Sequence, residues 1–134
     1  MTVRYLDLDD FIEIAAAVTG LTAEAVRGSS RLELADSALH APQSGFGDQE
    51  FFPELVDKAA VLAVRLAKNH PLPDGNKRVA WVCLRMFVEL NGLAWDPKPS
   101  VDEAEAAVLS IANGAWNEEA LASWLSSYLR PATG

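Results

Sequence analysis

Apolar residues recur at three- and four-residue spacing along almost the whole chain, the period of helices laid against a core. Phe11, Ile12, Ala15 and Val18 keep that spacing until Gly20 stops it. Ser30 and Glu33 form a capping-box signature ahead of Leu34, Ala35, Ala38 and Leu39. Pro53 starts another helix, with Leu55, Val56, Ala59, Leu62, Ala63 and Leu66 on one stripe. Pro71 and Pro73 then forbid helix. Helix resumes near Asn76, where Val79, Val82, Cys83, Met86, Phe87 and Leu90 make a broad apolar stripe, and Asn91-Gly92 reads as its C-cap. Ser100 with Glu103 repeats the capping box before Val101, Ala104, Val108 and Ile111. Asn117 can cap a last helix that turns Leu121, Trp124, Leu125 and Tyr128 inward.

Strand signals are poor. The best candidate is a short hairpin or flap in "HAPQSGFGDQEFFP", His40 to Pro53, where Gly45 and Gly47 flank Phe46. There is no internal repeat or low-complexity tract, and "DPKPS" is a loop too short to link domains. The pattern predicts an all-α helical bundle, one domain over residues 1–134, with a short flap before the two helices that straddle Pro71 and Pro73.

Composition sharpens this in a few places. With 50% hydrophobic and 22% charged residues the chain has ordinary globular usage. A formal net charge of -8 argues against direct binding of nucleic acid, which asks for a basic face. Cys83 is the one cysteine, so no intrachain disulfide can form, and Val82 and Leu84 beside it suggest an inert core thiol. No zinc-ligand spacing occurs. The start "MTVRYLDLDD" lacks the apolar core of a signal peptide, and no apolar run approaches about 18 residues. The expectation is a cytoplasmic protein without a membrane partner.

The chemistry concentrates in "NHPLPDGNKR", Asn69 to Arg78. Pro73 and Asp74-Gly75 make a turn, and Asn76, Lys77 and Arg78 form the first turn of the helix that follows. A helix start has unpaired N–H groups and the positive end of the dipole, a natural cradle for phosphate. Lys77 and Arg78 oppose that dipole at about 0.3–1 kcal/mol each, a placement that makes sense if an anion sits between. Asp74 can hold magnesium, which commonly uses one carboxylate together with substrate phosphates. His70 is the group in the cluster suited to proton transfer near neutral pH. Together these parts suit phosphoryl or nucleotidyl transfer. Each part alone has a plainer reading: His70 as a helix-end residue, Asp74-Gly75-Asn76 as a turn with an N-cap, Lys77 and Arg78 as a solvated face. His40 reads as a helix-end residue, and Trp81, Trp95, Trp116 and Trp124 as core or half-buried packing.

Residues 70–78, His-Pro-Leu-Pro-Asp-Gly-Asn-Lys-Arg, resemble the signature of the Fic/Doc superfamily, His-x-Phe-x-Asp/Glu-x-Asn-Gly/Lys-Arg. Lys77 resembles the Doc branch, the death-on-curing toxins, where Fic AMP-transferases have glycine. "ELADSALHAPQSGFG", "KAAVLAVRLAKNHPLPDGNKR" and "LRMFVELNGL" are similar to Doc-type chains too, so the resemblance covers roughly residues 33–93. It implies an all-α Fic fold and a toxin held in check by an antitoxin. By the same resemblance His70 is the base that activates an acceptor hydroxyl, Asp74 the magnesium ligand, and Gly75, Asn76, Lys77 and Arg78 the nucleotide-phosphate contacts. Residues 43–53 resemble the flap that aligns a target segment, with Ser44, Gly45, Phe46 and Gly47 at its centre. The implied substrates are ATP with magnesium and a protein hydroxyl, and some family members modify a translation elongation factor.

Fic-type members attack the α-phosphate and transfer AMP, whereas Doc-type members turn the nucleotide round and transfer the γ-phosphate. Lys77 favours the second. Trp81 stands where many Fic enzymes carry a second arginine, which weakens the AMP-transferase reading further. Leu72 replaces the motif phenylalanine, keeping the apolar role with less area and putting loop rigidity in doubt. No inhibitory helix of the family's Ser/Thr-x-x-x-Glu-Gly/Asn form occurs: Ser29 and Glu33 have the spacing, but Leu34 follows. Inhibition would then come from a separate chain. Nucleotidyl transfer, and a catalytically silent module that only holds nucleotide or partner, stay as alternatives. The target protein, the antitoxin and the oligomeric state are not legible.

Overall fold

The computed structural model describes residues 2–132; residues 1, 133 and 134 of the expected domain lie outside it. The chain runs α1 (Leu8–Thr19), α2 (Ala23–Arg27), α3 (Leu32–His40), a 3-10 turn (Ala41–Gln43), β1 (Gly45–Phe46), β2 (Gln49–Glu50), α4 (Leu55–Asn69), α5 (Asn76–Leu90), β3 (Leu93–Trp95), α6 (Val101–Ala112), α7 (Glu118–Ser126) and β4 (Leu129–Pro131). The expected helical bundle with a flap before the central helix pair is what forms.

Helix α4 is the axis. It packs against α3, α5, α6 and α7. Every residue from Lys58 to Val64 is buried, as are Leu66 and Ala67. The expected single stripe is therefore part of a wider burial that surrounds α4 from Lys58 to Val64, leaving Arg65 and Lys68 exposed. Ala59, Ala60, Ala63 and Ala67 let neighbours approach closely, and Leu62 and Leu66 fill the space between, each contributing about 1.5–3 kcal/mol by burial.

Helix α5 lies beside α4 and buries Val79, Ala80, Cys83, Leu84, Phe87 and Val88. That arc is rotated from the expected stripe: Met86 and Leu90 face solvent and Val82 is half-buried. The cause is that α1 and α4 both pack on α5, which widens its buried arc toward Ala80, Leu84 and Val88. On α6 the inward residues are Ala107 and Ile111, while Val101, expected inside, is 73% exposed.

Several helix starts and stops follow local chemistry. Asp7 and Asp10 close a capping box on α1, and Gly20 ends that helix at φ 80°. Ser100 and Glu103 close the box on α6, and the Asn117 side chain accepts the Ala120 N–H at the start of α7. The Ser30–Glu33 box does not form. Arg31 occupies the N-cap of α3 without a side-chain cap, and the nearby serine with a structural bond is Ser29. Helix α4 begins at Leu55 with Glu54 as N-cap, two residues past Pro53.

Two strand pairs accompany the helices. The anticipated flap pairs Gly45 with Glu50 and Phe46 with Gln49. The second pair, Leu93–Trp95 with Leu129–Pro131, was not foreseen. Its strands are three residues long and far apart in sequence, so neither carries a readable alternation. It carries Trp95 into a half-buried chain of rings, Trp95–Trp81–Trp124–Trp116, with centroids 5.6, 6.3 and 6.1 Å apart. Among the described residues no helix is long and apolar enough to cross a membrane.

Candidate active site

Helix α4 ends at Asn69, and His70 follows in the left-handed region, φ 46° and ψ 58°. Among the described residues it is the non-glycine residue with positive φ, a conformation that costs roughly 1–2 kcal/mol for an L residue. The carbonyls on either side of it are held. Arg31 Nη2 donates to Asn69 O at 3.1 Å, and Ser29 Oγ donates to Pro71 O at 2.9 Å. Asn69 Nδ2 donates to Leu34 O at 3.1 Å, tying the helix end to α3.

The rest of the loop is locked to α5. Leu72 is buried, so leucine serves as the core anchor expected of the motif phenylalanine. Asn76 Nδ2 donates to Leu72 O at 2.8 Å, and Asn76 Oδ1 accepts the Leu72 N–H at 2.9 Å. The Asn76 side chain is thus spent on the loop, which leaves its backbone N–H in the uncapped first turn of α5. Gly75 is the N-cap of α5 at φ 79°, and a Cβ there would stand 2.9 Å from Thr19 Cγ2, so glycine suits both the dihedral and the contact with α1.

The first turn of α5 has no side-chain cap and no acidic residue. Lys77 and Arg78 are exposed, and neither pairs with a carboxylate among the described residues. Free N–H groups and two unneutralised cations therefore share one helix end. Beside them lies an apolar cavity of about 490 Å³, walled by Lys77, Arg78 and Trp81 of α5, Val18 of α1, and Ala104 and Val108 of α6. His70 and Asp74, both exposed, are not on its wall.

In the flap, Ser44 is half-buried and its N–H closes the 3-10 turn on Ala41 O at 3.1 Å. Gly45 and Phe46 form β1, and Gly47 takes the turn at φ 60°. A Cβ at Gly45 would overlap Gln49 O, so only glycine permits this tight pairing. Phe46 is 84% exposed. The flap is anchored by a residue that sequence reasoning missed. Lys58 of α4 is 1% exposed; its Nζ donates to Pro42 O at 3.1 Å and to Glu50 Oε1 at 2.7 Å, and lies 5.6 Å from the Tyr5 ring centroid. Burial pulls its ammonium pKa down, but the bonds and charge of Glu50 and the Tyr5 hydroxyl outweigh it, and the net shift is upward. The available signal was a lysine set directly before the apolar run Ala59–Val64.

Lys58 lies about 16 Å along the axis from Asn69. The flap anchor and His70 thus sit toward opposite ends of one rigid helix. Among the described residues no hydrogen bond joins the flap to residues 70–78. His70, Asp74 and Gly75 lie on the short loop between α4 and α5, Asn76, Lys77 and Arg78 follow on the first turn of α5, and the flap that carries Ser44–Gly47 is tied to α4 through Lys58.

The Fic/DOC family profile matches residues 5–88, a span that holds both the flap and the loop. The chain belongs to the Fic/DOC family. It is also 32% identical over 128 residues to Toxin Doc of Mycolicibacterium smegmatis (strain ATCC 700084 / mc(2)155), a match covering 93% of each chain. The resemblance seen in the motif is borne out, and the Fic helical fold with it.

Magnesium, which the Fic/DOC resemblance implies, has a limited donor set here. Among the described residues no group of three or more histidine, cysteine, aspartate or glutamate side chains could hold a metal ion. Asp74 is a single exposed carboxylate. That fits a magnesium ion whose other ligands are phosphate oxygens and water, not a metal caged by protein.

Proposed function

We propose that this chain is a Doc-type toxin that transfers the γ-phosphate of ATP to a hydroxyl side chain of a target protein in the cytoplasm. A separate antitoxin chain restrains it, and residues 1–134 act as one domain. The observation that carries the reading is the first turn of α5: uncapped, free of acids, and bearing exposed, unpaired Lys77 and Arg78 one short loop after His70. The relative named Toxin Doc supports the toxin role.

In this reading the β- and γ-phosphates rest on the N–H groups of Asn76–Arg78 and on the two cations. The adjoining cavity of about 490 Å³ has room for a nucleoside, with Trp81 on its wall. His70 accepts the proton of the target hydroxyl as that oxygen bonds to the γ-phosphorus. The bond from the γ-phosphorus to the bridging oxygen breaks, and ADP leaves. Asp74 would hold magnesium, which would supply positive charge to offset that of the phosphates. The exposed flap around Phe46 aligns the target segment, with Lys58 fixing its base.

Incubation of the purified chain with cell extract and ATP labelled at either the α- or the γ-position tests this. Transfer of the γ-label supports phosphotransfer. Transfer of the α-label makes the chain an AMP-transferase. Transfer of neither, in extract that contains the target, leaves a module that only binds.

A further inference from the structure

We infer that Ser29 and Arg31, in the short link between α2 and α3, are positioning residues for His70. The inference rests on His70 being the base of the proposed transfer. The two side chains grip the carbonyls on either side of it: Arg31 holds Asn69 O at 3.1 Å and Ser29 holds Pro71 O at 2.9 Å.

The need for such a grip follows from the backbone. His70 precedes Pro71, and a residue before proline is driven toward extended conformations. It sits instead at φ 46° and ψ 58°. A strained residue persists only where its surroundings over-determine it. The Asn69 carbonyl belongs to the peptide plane that enters His70, so fixing it restrains φ of His70. Proline fixes its own φ, so fixing the Pro71 carbonyl restrains the plane that leaves His70.

The two grips are coupled. Ser29 Oγ accepts the Arg31 N–H at 3.3 Å while donating to Pro71 O, so one serine links both sides of the clamp. The link has a firm footing, because Ser29 N–H donates to Val26 O at 3.1 Å and Val26 is buried. Asn69 adds its own bond to Leu34 O on α3. Asn76 Oδ1 accepts the Leu72 N–H, which shares a peptide plane with the Pro71 carbonyl, so α5 braces the exit side of the clamp, while the entry side at Asn69 O rests on Arg31. The α2–α3 link therefore grips both sides of His70, and α5 shares only the exit side.

The test compares Ser29→Ala and Arg31→Met with the conservative Ser29→Thr and Arg31→Lys. Total label transferred from ATP, of either position, gives turnover and KM, and the His70 Cα chemical shift reports its backbone conformation. The expected result is a turnover about 10- to 100-fold lower in Ser29→Ala and Arg31→Met, with nucleotide KM within about twofold of wild type. The His70 shift should move toward extended values, and the two conservative variants should restore most of both readouts. An unchanged His70 shift in the Ser29→Ala, Arg31→Met double variant would overturn the inference. So would equal losses in turnover and nucleotide binding that track thermal unfolding. If wild type transfers no label, the phosphotransfer reading fails on that result, and the chemical shift still decides whether the clamp sets the His70 backbone.

Discussion

Asn76 holds Leu72 by both faces of its backbone, donating to its carbonyl at 2.8 Å and accepting its N–H at 2.9 Å. The first residue of α5 thereby closes the loop that begins at His70. Asn76→Ala should leave both Leu72 groups without a protein partner, lowering stability by about 1–3 kcal/mol. Amide exchange at residues 70–75 should accelerate more than exchange in the core of α4. Urea unfolding and hydrogen exchange measure the two effects. Unchanged protection of the loop would mean that Leu72 burial alone holds it.

Lys58→Met should loosen the flap while leaving the core intact, because methionine keeps the buried stem and loses the bonds to Pro42 O and Glu50. The expected cost is about 1.5–3 kcal/mol, with faster proteolysis at residues 43–53. The pH dependence follows from the raised ammonium pKa. A raised native value means that this contribution is fully present below the unfolded lysine value of about 10.4 and is lost as pH rises through the native one. Stability measured up to alkaline pH should therefore fall less steeply in Lys58→Met than in wild type. Parallel curves would contradict the assignment.

Much of the architecture could be read from spacing and punctuation, and the failures have physical causes. The capping box at Ser100–Glu103 and the stops at Gly20 and Asn91-Gly92 are local chemistry, and they sit where expected. The α4 stripe lies inward as expected but burial extends around it, and on α5 Met86 and Leu90 face solvent, because the buried arc of a helix depends on how many neighbours pack on it, which one sequence does not encode locally. Ser30 matched a cap by spacing, whereas Ser29 is the serine that bonds across the fold to Pro71, a partner 42 positions away. His70, Gly75 and the first turn of α5 stood out because their order along the chain is their order in space. Lys58, Ser29 and Arg31 did not, because their roles rest on contacts between distant segments.

Lys77→Gly should lower γ-phosphate transfer by roughly one to two decades, the loss of one charge-assisted contact of about 1.5–3 kcal/mol. It also recreates the Asn-Gly-Arg stretch of Fic AMP-transferases, so slight α-label transfer is expected. Glycine in the first turn should cost up to about 1 kcal/mol of stability, which calorimetry checks in parallel. A folded variant with wild-type γ-transfer would remove Lys77 from the phosphate site.

Filling the cavity tests the nucleoside side of the site. Ala104 is half-buried on α6 and lines the cavity opposite Lys77 and Trp81. Ala104→Trp should weaken ATP affinity by at least about tenfold, equivalent to roughly 1.4 kcal/mol, as read by isothermal titration. Affinity for inorganic triphosphate should change little. Equal affinity for ATP in variant and wild type would place the nucleoside elsewhere.

The central claim, that His70 activates a protein hydroxyl toward the γ-phosphate held at the start of α5, is met most directly by mass spectrometry of the modified target. Extract treated with wild-type chain, ATP and magnesium should contain a protein heavier by one phosphoryl group on a hydroxyl side chain. His70→Ala, which removes a base contributing about 10²–10⁴-fold, should leave that protein unmodified over the same time while keeping the wild-type fold. A target heavier by an adenylyl group, or phosphorylation that persists at full rate in His70→Ala, would contradict the account.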